Sequence, residues 1–303
     1  MRLRSPHPRE SVLHAARGVL MGAADVVPGV SGGTMALIVG IYMPLVATIR
    51  TGASALGHAV RLQWGPARTA LRAIDWWFIG PLFAGIVAAV LTLARVVEYV
   101  LDHYPEETSA FFFGLVLGSV PIAWAYLRRP APMHLALAGV TGVVTFVILG
   151  YRGSAVEDPR LLAVFLAGAV AICAMILPGI SGSLILLMLG LYDRIIEALN
   201  DRELGIILSF AAGAVIGLAL FSTLLDYLLR RYHDLVMAVL TGLLIGSLRV
   251  LWPWPEGAES AAIDPPSGAW PLALALALGG TVLVLVIGRV GARLAAATER
   301  RGV

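Results

Sequence analysis

An all-α polytopic membrane fold, arranged as an inverted repeat, is what this sequence predicts, and three observations predict it. The chain of 303 residues is 59% hydrophobic and only 14% charged, more apolar than a water-facing surface can be. Apolar runs close to the roughly 20 residues that a bilayer requires recur along it. One phrase broken by proline and glycine occurs twice, as VVPGVSGGTMALIVGIY from Val26 and as ILPGISGSLILLMLGLY from Ile176.

The apolar runs lie near 76–101, 107–127, 132–150, 206–229, 233–252 and 270–290 and read as six spans. Two more, about 11–50 and 160–199, are cut at their centres by Pro-Gly-x-Ser-Gly, so each is either a broken span or a re-entrant hairpin. Trp76, Trp77, Trp124, Trp252, Trp254 and Trp270 fall at span ends, where amphipathic rings favour the interface.

The repetition extends beyond the phrase. Pro28, Gly29, Ser31, Gly32, Gly40 and Tyr42 recur 150 residues later, as Pro178, Gly179, Ser181, Gly182, Gly190 and Tyr192. Gly85, Glu98, Tyr99, Gly114, Gly118 and Ser119 recur 128 later, as Gly213, Asp226, Tyr227, Gly242, Gly246 and Ser247. Gly142 and Gly150 lie 138 before Gly280 and Gly288. The change of offset from 150 to 128 fits an Arg-containing loop at 51–75 whose counterpart around 200–205 is very short. The chain therefore divides into a first repeat, 1–150, and a second, 151–303, each with one hairpin and three spans.

Charge decides between hairpin and single span, because positive residues favour cytoplasmic loops. All basic residues are Arg. With hairpins, one side collects Arg2, Arg4, Arg9, Arg50, Arg61, Arg68, Arg72, Arg128, Arg129, Arg230, Arg231, Arg289, Arg293, Arg300 and Arg301. The other collects most of the carboxylates, including Glu106, Glu107, Glu157, Asp158, Glu256 and Glu259, although Arg152, Arg160, Arg194 and Arg202 fall there too. A single-span reading of the first region would separate the four-Arg loop from the basic N-terminus. Hairpins make each unit cross an odd number of times, so the second unit enters upside down, a common transporter plan. Both termini are then cytoplasmic, and the basic N-terminus reads as a retained tail rather than a signal peptide.

Each phrase ends one helix and starts another. Pro28 lacks an amide hydrogen, Gly29 tolerates unusual backbone angles, and Ser31 suits the N-cap of the outgoing helix. A helix start inside a membrane leaves amide donors that protein, water or a ligand must satisfy. Gly32, Gly33 and Thr34, and in the second copy Ser181, Gly182 and Ser183 after Gly179, would present those donors with little bulk. Two such tips meeting at the midplane form an anion site suited to a phosphate monoester, of charge about −1.5 to −2. Small residues also serve helix packing, but duplication at matching places favours the site.

A charge in mid-membrane costs about 2.5–3.5 kcal/mol on insertion scales, which singles out four further residues. Asp25, three residues before Pro28, either carries a coupling proton or pairs with Arg17, two helical turns upstream. Arg17 either attracts an anion or reaches the surface. Arg95 and Glu98, three apart in one span, read as an ion pair near the outer interface, with Glu98 the alternative to Asp25 as carrier of a coupling proton. The six histidines have no ligand spacing, the one cysteine is Cys173, and no Walker loop or HExxH occurs, so no metal or other cofactor is expected. A formal charge of +3 gives nucleic-acid binding no support.

The segments GAADVVPGVSGGTMALIVGIY, LPGISGSLILLMLGLY and FFFGLVLGS resemble the undecaprenyl phosphate translocases of the PopT type, formerly a membrane family of unknown function. The resemblance covers nearly the whole chain. It implies a flippase of the bacterial inner membrane that returns undecaprenyl phosphate from the outer to the cytoplasmic leaflet for peptidoglycan and other envelope polymers. The partners it implies are a polyprenyl phosphate lipid and the bilayer, with oligomerisation left open. Pro28, Gly29, Ser31, Gly32, Gly33, Thr34, Pro178, Gly179, Ser181, Gly182 and Ser183 match the paired motif, and Asp25 matches an acidic position of the family. Ser183 departs from the Gly of the first copy, which implies unequal hairpins. Two alternatives stand beside it. Undecaprenyl pyrophosphate phosphatases share the Pro-Gly-x-Ser phrase but follow it with Arg-Ser and carry Glu-x-x-x-Glu, which neither hairpin here does. An anion channel would share the helix-end site without needing a lipid tail.

Overall fold

The computed structural model describes residues 8–27, 29–255, 257, 260 and 262–301; Arg2, Arg4, Pro28, Glu256 and Glu259 lie outside them. The described residues form thirteen helices and no strand. They are α1 (Pro8–Asp25), α2 (Gly32–Ile38), α3 (Tyr42–Val60), α4 (Trp64–Ala73), α5 (Trp76–His103), α6 (Pro105–Ala125), α7 (Pro132–Ile148), α8 (Leu161–Ile176), α9 (Gly182–Met188), α10 (Tyr192–Asn200), α11 (Leu204–Arg231), α12 (His233–Ser247) and α13 (Trp270–Arg301). The chain is a multi-pass membrane protein.

Four helices have the length and apolarity to cross a bilayer: α5, α6, α11 and the Trp270–Gly291 part of α13. Two expected spans are shorter as α-helix, α7 at 17 residues and α12 at 15. Both continue in tighter turns. After α12, bonds from the amides of Leu248, Arg249, Val250, Leu251 and Trp252 reach back three residues, and after α7 those of Gly150 and Tyr151 do the same. Each apolar run thereby reaches its expected end, although α-helix ends earlier.

The segment 51–75, expected as a loop, is largely helical. It comprises the second half of α3 and all of α4, joined at Leu62 and Gln63. The corresponding α10 has only 9 residues and leads through Glu203 straight into α11. Arg194 of α10 fixes that turn by donating to Glu203 at 2.6 Å and to the Glu157 carbonyl at 3.1 Å. The guanidinium also holds the Glu203 carboxyl below its ordinary range, chiefly through that hydrogen bond.

Close approach of backbones decides how the long helices pair. Where α1 meets α5, a Cβ at Gly18 would run into the Leu82 carbonyl and one at Gly85 into the Ala15 carbonyl. The corresponding glycines repeat this where α8 meets α11: Gly168 faces the Phe210 carbonyl and Gly213 the Phe165 carbonyl. Residue numbers rise together along both pairs. The remaining long helices pair across the two sequence copies. Gly114 and Gly118 of α6 lie against Ala277 and Thr281 of α13, while Gly242 and Gly246 of α12 lie against Ala138 and Thr145 of α7. These pairs also run in the same direction. Small residues replace the hydrophobic drive that lipid cannot supply between helices.

At the centre sits α2, every residue of which is buried. It packs against α1, α3, α6, α8 and α13. The main core surrounds it, with Leu37, Met237, Leu240, Leu244 and Leu251 essentially inaccessible. By contrast α9, its sequence counterpart, leaves Leu187 exposed, as is Leu189 at its C-cap.

Gly213→Ala should lower thermal stability in detergent by about 1–3 kcal/mol through overpacking against Phe165. Gly80→Ala, which meets open space on α5, should be neutral or stabilising; equal effects in thermal melts would contradict backbone contact as the basis of pairing.

Candidate functional site

Both broken phrases turn the chain as expected, with unequal consequences. α1 ends at Asp25 and α8 at Ile176, each just ahead of its proline. Gly29 and Gly179 then take φ of 81° and 86°, a left-handed conformation that a side chain would strain. A Cβ on either would also press on α12 or the turns that follow it, against Ser247 at the end of α12 for Gly179 and against Val250 beyond it for Gly29.

The first tip satisfies itself. Ser31 caps α2 by accepting from the Gly33 amide at 3.1 Å, and the Thr34 amide donates to the Ser31 carbonyl at 2.9 Å. The Gly32 amide donates to Asp25 Oδ1 at 2.6 Å. The donors expected to face a ligand are therefore taken, one of them by a carboxylate built into the chain. Asp25 does not pair with Arg17, whose guanidinium instead lies 3.5 Å from His14 Nδ1.

The second tip is built differently. Ser181 occupies the N-cap position but makes no capping bond; its hydroxyl lies 2.7 Å from that of Ser183. The amides of Gly182, Ser183 and Leu184 have no acceptor among the described residues. The residue 150 after Asp25 is Met175, and a Cβ on Gly182 would meet its side chain, as one on Gly32 would meet the Asp25 carboxylate. A thioether thus stands where the first tip has a carboxylate.

The tips are tied together. The Ser31 hydroxyl lies within donating distance of the Met175 and Leu177 carbonyls, at 3.1 and 3.2 Å, while Thr34 Oγ1 accepts from the Gly179 amide at 2.8 Å. These bonds supply partners for groups that the end of α8 leaves without them. They also place the first helix start against the second helix end.

Beside the junction lies a cavity of about 280 Å³, walled by α8, α9 and α11. Asp25, Ser31, Ser181, Gly182 and Ser183 line it, and Gly168, Ala171, Ile172 and Phe210 form its apolar side. Gly29, Gly32, Gly33, Thr34 and Gly179 do not line it; they hold the junction together. No arginine lines it either. Arg95 and Glu98 are exposed on α5 and form no ion pair with each other, against the expected i, i+3 contact, because an exposed pair gains too little to fix two long side chains. Asp226, the counterpart of Glu98, is 6% exposed and contacts Arg50 at 3.2 Å and Arg230 at 2.9 Å. The Met175 position was available in the sequence by carrying the 150-residue offset to Asp25. The bond between Thr34 and Gly179 left no such sign.

A family model described as undecaprenyl phosphate translocase-like matches residues 21–265. The chain is 39% identical over 294 residues to the polyprenyl-phosphate transporter of Vibrio cholerae serotype O1, covering 89% of this chain and 93% of that protein. It is 29% identical over 297 residues to the polyprenyl-phosphate transporter of Staphylococcus aureus, covering 92% and 97%. No solved structure matches.

Thr34→Val should cost about 1–3 kcal/mol in detergent melts, because the buried Gly179 amide loses its acceptor, whereas Thr34→Ser should retain most of the stability. Equal melting of the two variants would show that this bond does not join the tips.

Proposed function

Because the chain belongs to the undecaprenyl phosphate translocase-like family, we propose that it carries the phosphate of its lipid through the cavity between α8, α9 and α11. It is a polyprenyl-phosphate transporter and not an enzyme. The lipid is undecaprenyl phosphate, and the direction is from the outer to the cytoplasmic leaflet of the inner membrane. The observation that carries the site is that Asp25, Ser31, Ser181, Gly182 and Ser183 wall one cavity.

Helix directions support the inverted plan. α1 and α5 run the same way, as do α8 and α11, α6 and α13, and α7 and α12. Following the chain from α5 through the tight turn at Tyr104 into α6, then through α7, fixes the sides on which the others begin. α1 and α5 start on one side, α8 and α11 on the opposite one. The segments 8–75 and 161–203 therefore return to the side from which they entered, as hairpins do. These directions support the division into repeats 1–150 and 151–303. Arg128, Arg129, Arg230 and Arg231 gather on the side where α1 starts, and the positive-inside tendency makes that side cytoplasmic, with both termini.

The headgroup's partners are the two hydroxyls and the free amides of the second tip. These are neutral donors, and Asp25 shares their cavity. A phosphate and an ionised carboxylate repel at such range, so binding of one favours protonation of the other. Loading the phosphate then loads a proton. The proton offsets the cost of moving an anion toward a negative interior, about 2.3 kcal/mol per charge per 100 mV. Arg17, Arg95 and Glu98 lie outside the cavity, so Asp25 is the coupling residue in this reading. The tail stays in lipid, reaching it past the apolar side of the cavity.

In liposomes that report polyprenyl phosphate exposure across the bilayer, Ser181→Ala with Ser183→Ala should slow transport about tenfold or more. Asp25→Asn should remove the acceleration by an inward proton gradient while leaving binding in place. Undiminished transport by the double variant would defeat the site, and an unchanged response of Asp25→Asn to the gradient would defeat the coupling.

A further inference from the structure

Between α11 and α12 runs a second hollow, about 550 Å³, whose exposed lining is entirely apolar. Phe221, Leu225, Leu228, Val239 and Leu243 form its walls, and its deep end reaches Leu177. Leu177 belongs to the hairpin junction: its carbonyl lies 3.2 Å from the Ser31 hydroxyl. The hollow thus touches the same tip as the central cavity.

Its other end opens onto a cationic cluster. Tyr232 and Leu235 line both the hollow and a polar depression formed by Arg128, Arg129, Arg230, Arg231, His233 and Asp234. The carboxylates there are already engaged. Asp234 accepts from the amides of Arg128 and Arg129, both at 3.0 Å, and from His233. Asp226 holds Arg230 and Arg50. Arg231 lies over the Tyr232 ring at 5.7 Å. The guanidiniums of Arg128 and Arg129 are exposed and have no acceptor among the described residues.

Both hollows lie along one helix. Phe210 and Ala214 of α11 line the central cavity, Phe221, Leu225 and Leu228 line the apolar one, and Arg230 and Arg231 stand at its mouth. From Ala214 to Phe221 is seven residues, about 10 Å along a helix.

We propose that the α11–α12 crevice is a second binding site for the transported polyprenyl phosphate, at the Arg-rich face. The prenyl chain lies on Phe221, Leu225 and Val239, and the phosphate meets Arg128, Arg129 and Arg231. The occupant is an amphiphile with a hydrocarbon body and an anionic end because an apolar wall leads to uncompensated guanidiniums. It is the carried lipid because the crevice abuts the junction at Leu177. Arginine there forms charge-assisted, two-pronged bonds with phosphate, which neutral hydroxyls cannot. The inference rests on the central-cavity reading and adds the place where the lipid arrives before release. The strong cationic end favours the headgroup over the central site once it has passed the junction.

The test uses the full-length protein in nanodiscs of phosphatidylethanolamine and phosphatidylglycerol, loaded with polyprenyl phosphate bearing a photoreactive group in its tail near the phosphate. Labelling is expected at Phe210 or Ala214 for the central cavity, and at Val239 or Leu243 for the crevice. Arg128→Gln with Arg129→Gln and Arg231→Gln should reduce crevice labelling about tenfold and leave cavity labelling in place. Val239→Trp, which fills the crevice without touching a charge, should reduce it similarly. Crevice labelling that survives both variants, or that excess phosphatidylglycerol removes, would overturn the inference. Cavity labelling without crevice labelling would overturn it alone, whereas absence of both would overturn the central reading as well.

Discussion

Hydrocarbon offers a backbone amide or carbonyl no partner, so a helix broken inside a membrane must find one in the protein, in water or in a ligand. The junction of the two phrases meets this constraint by making each break serve the other. Ser31 of the first break bonds carbonyls at the end of α8, and Thr34 accepts the amide of Gly179. The burial of α2, the placement of Asp25 and the position of the cavity follow from that mutual arrangement. If the tips were apart, each would expose several polar groups at a cost of several kcal/mol apiece.

The duplicated parts have diverged where chemistry would need it. At the first tip a carboxylate and a serine cap occupy the donors; at the second a methionine and an uncapped pair of hydroxyls leave them open. One tip is then closed on itself around a carboxylate, and the other turns its hydroxyls toward the cavity without capping its helix. A symmetrical pair would have placed either two carboxylates or none beside the cavity. Divergence at Asp25 and Met175 and at Gly33 and Ser183 leaves one carboxylate and one uncapped helix start beside the cavity.

Much of this was legible in the residues. The paired phrases marked where α1 and α8 break, and the shift of offset near 51–75 marked the extra segment. What the extra segment does was less visible: the second half of α3 and all of α4 are largely exposed helices with Ala55 and Ala67 buried, and a charged stretch of ordinary composition reads as loop. The expected match of the two Ser caps failed at Ser181, because a hydroxyl two residues away outcompetes the backbone. The pairing of Arg95 with Glu98 failed for lack of burial, while Asp226, the counterpart of Glu98, found Arg50 through tertiary packing. Bonds between residues about 145 apart, such as that of Thr34 with Gly179, depend on how the tips dock and have no local signature.

The exchange of partners between the two sequence copies has a consequence for biosynthesis. α6 presents its glycine face to α13, and Thr281 donates to the Gly114 carbonyl at 2.8 Å, 167 residues downstream. At synthesis rates of about 5–20 residues per second, α6 waits roughly 8–30 s for that surface to be made. The groove on α6 therefore enters the membrane open to lipid and is closed only when α13 has been made. Premature termination before α13 would leave an apolar protein of normal hydropathy with an unoccupied helix-binding groove, the kind of surface that membrane quality control can recognise.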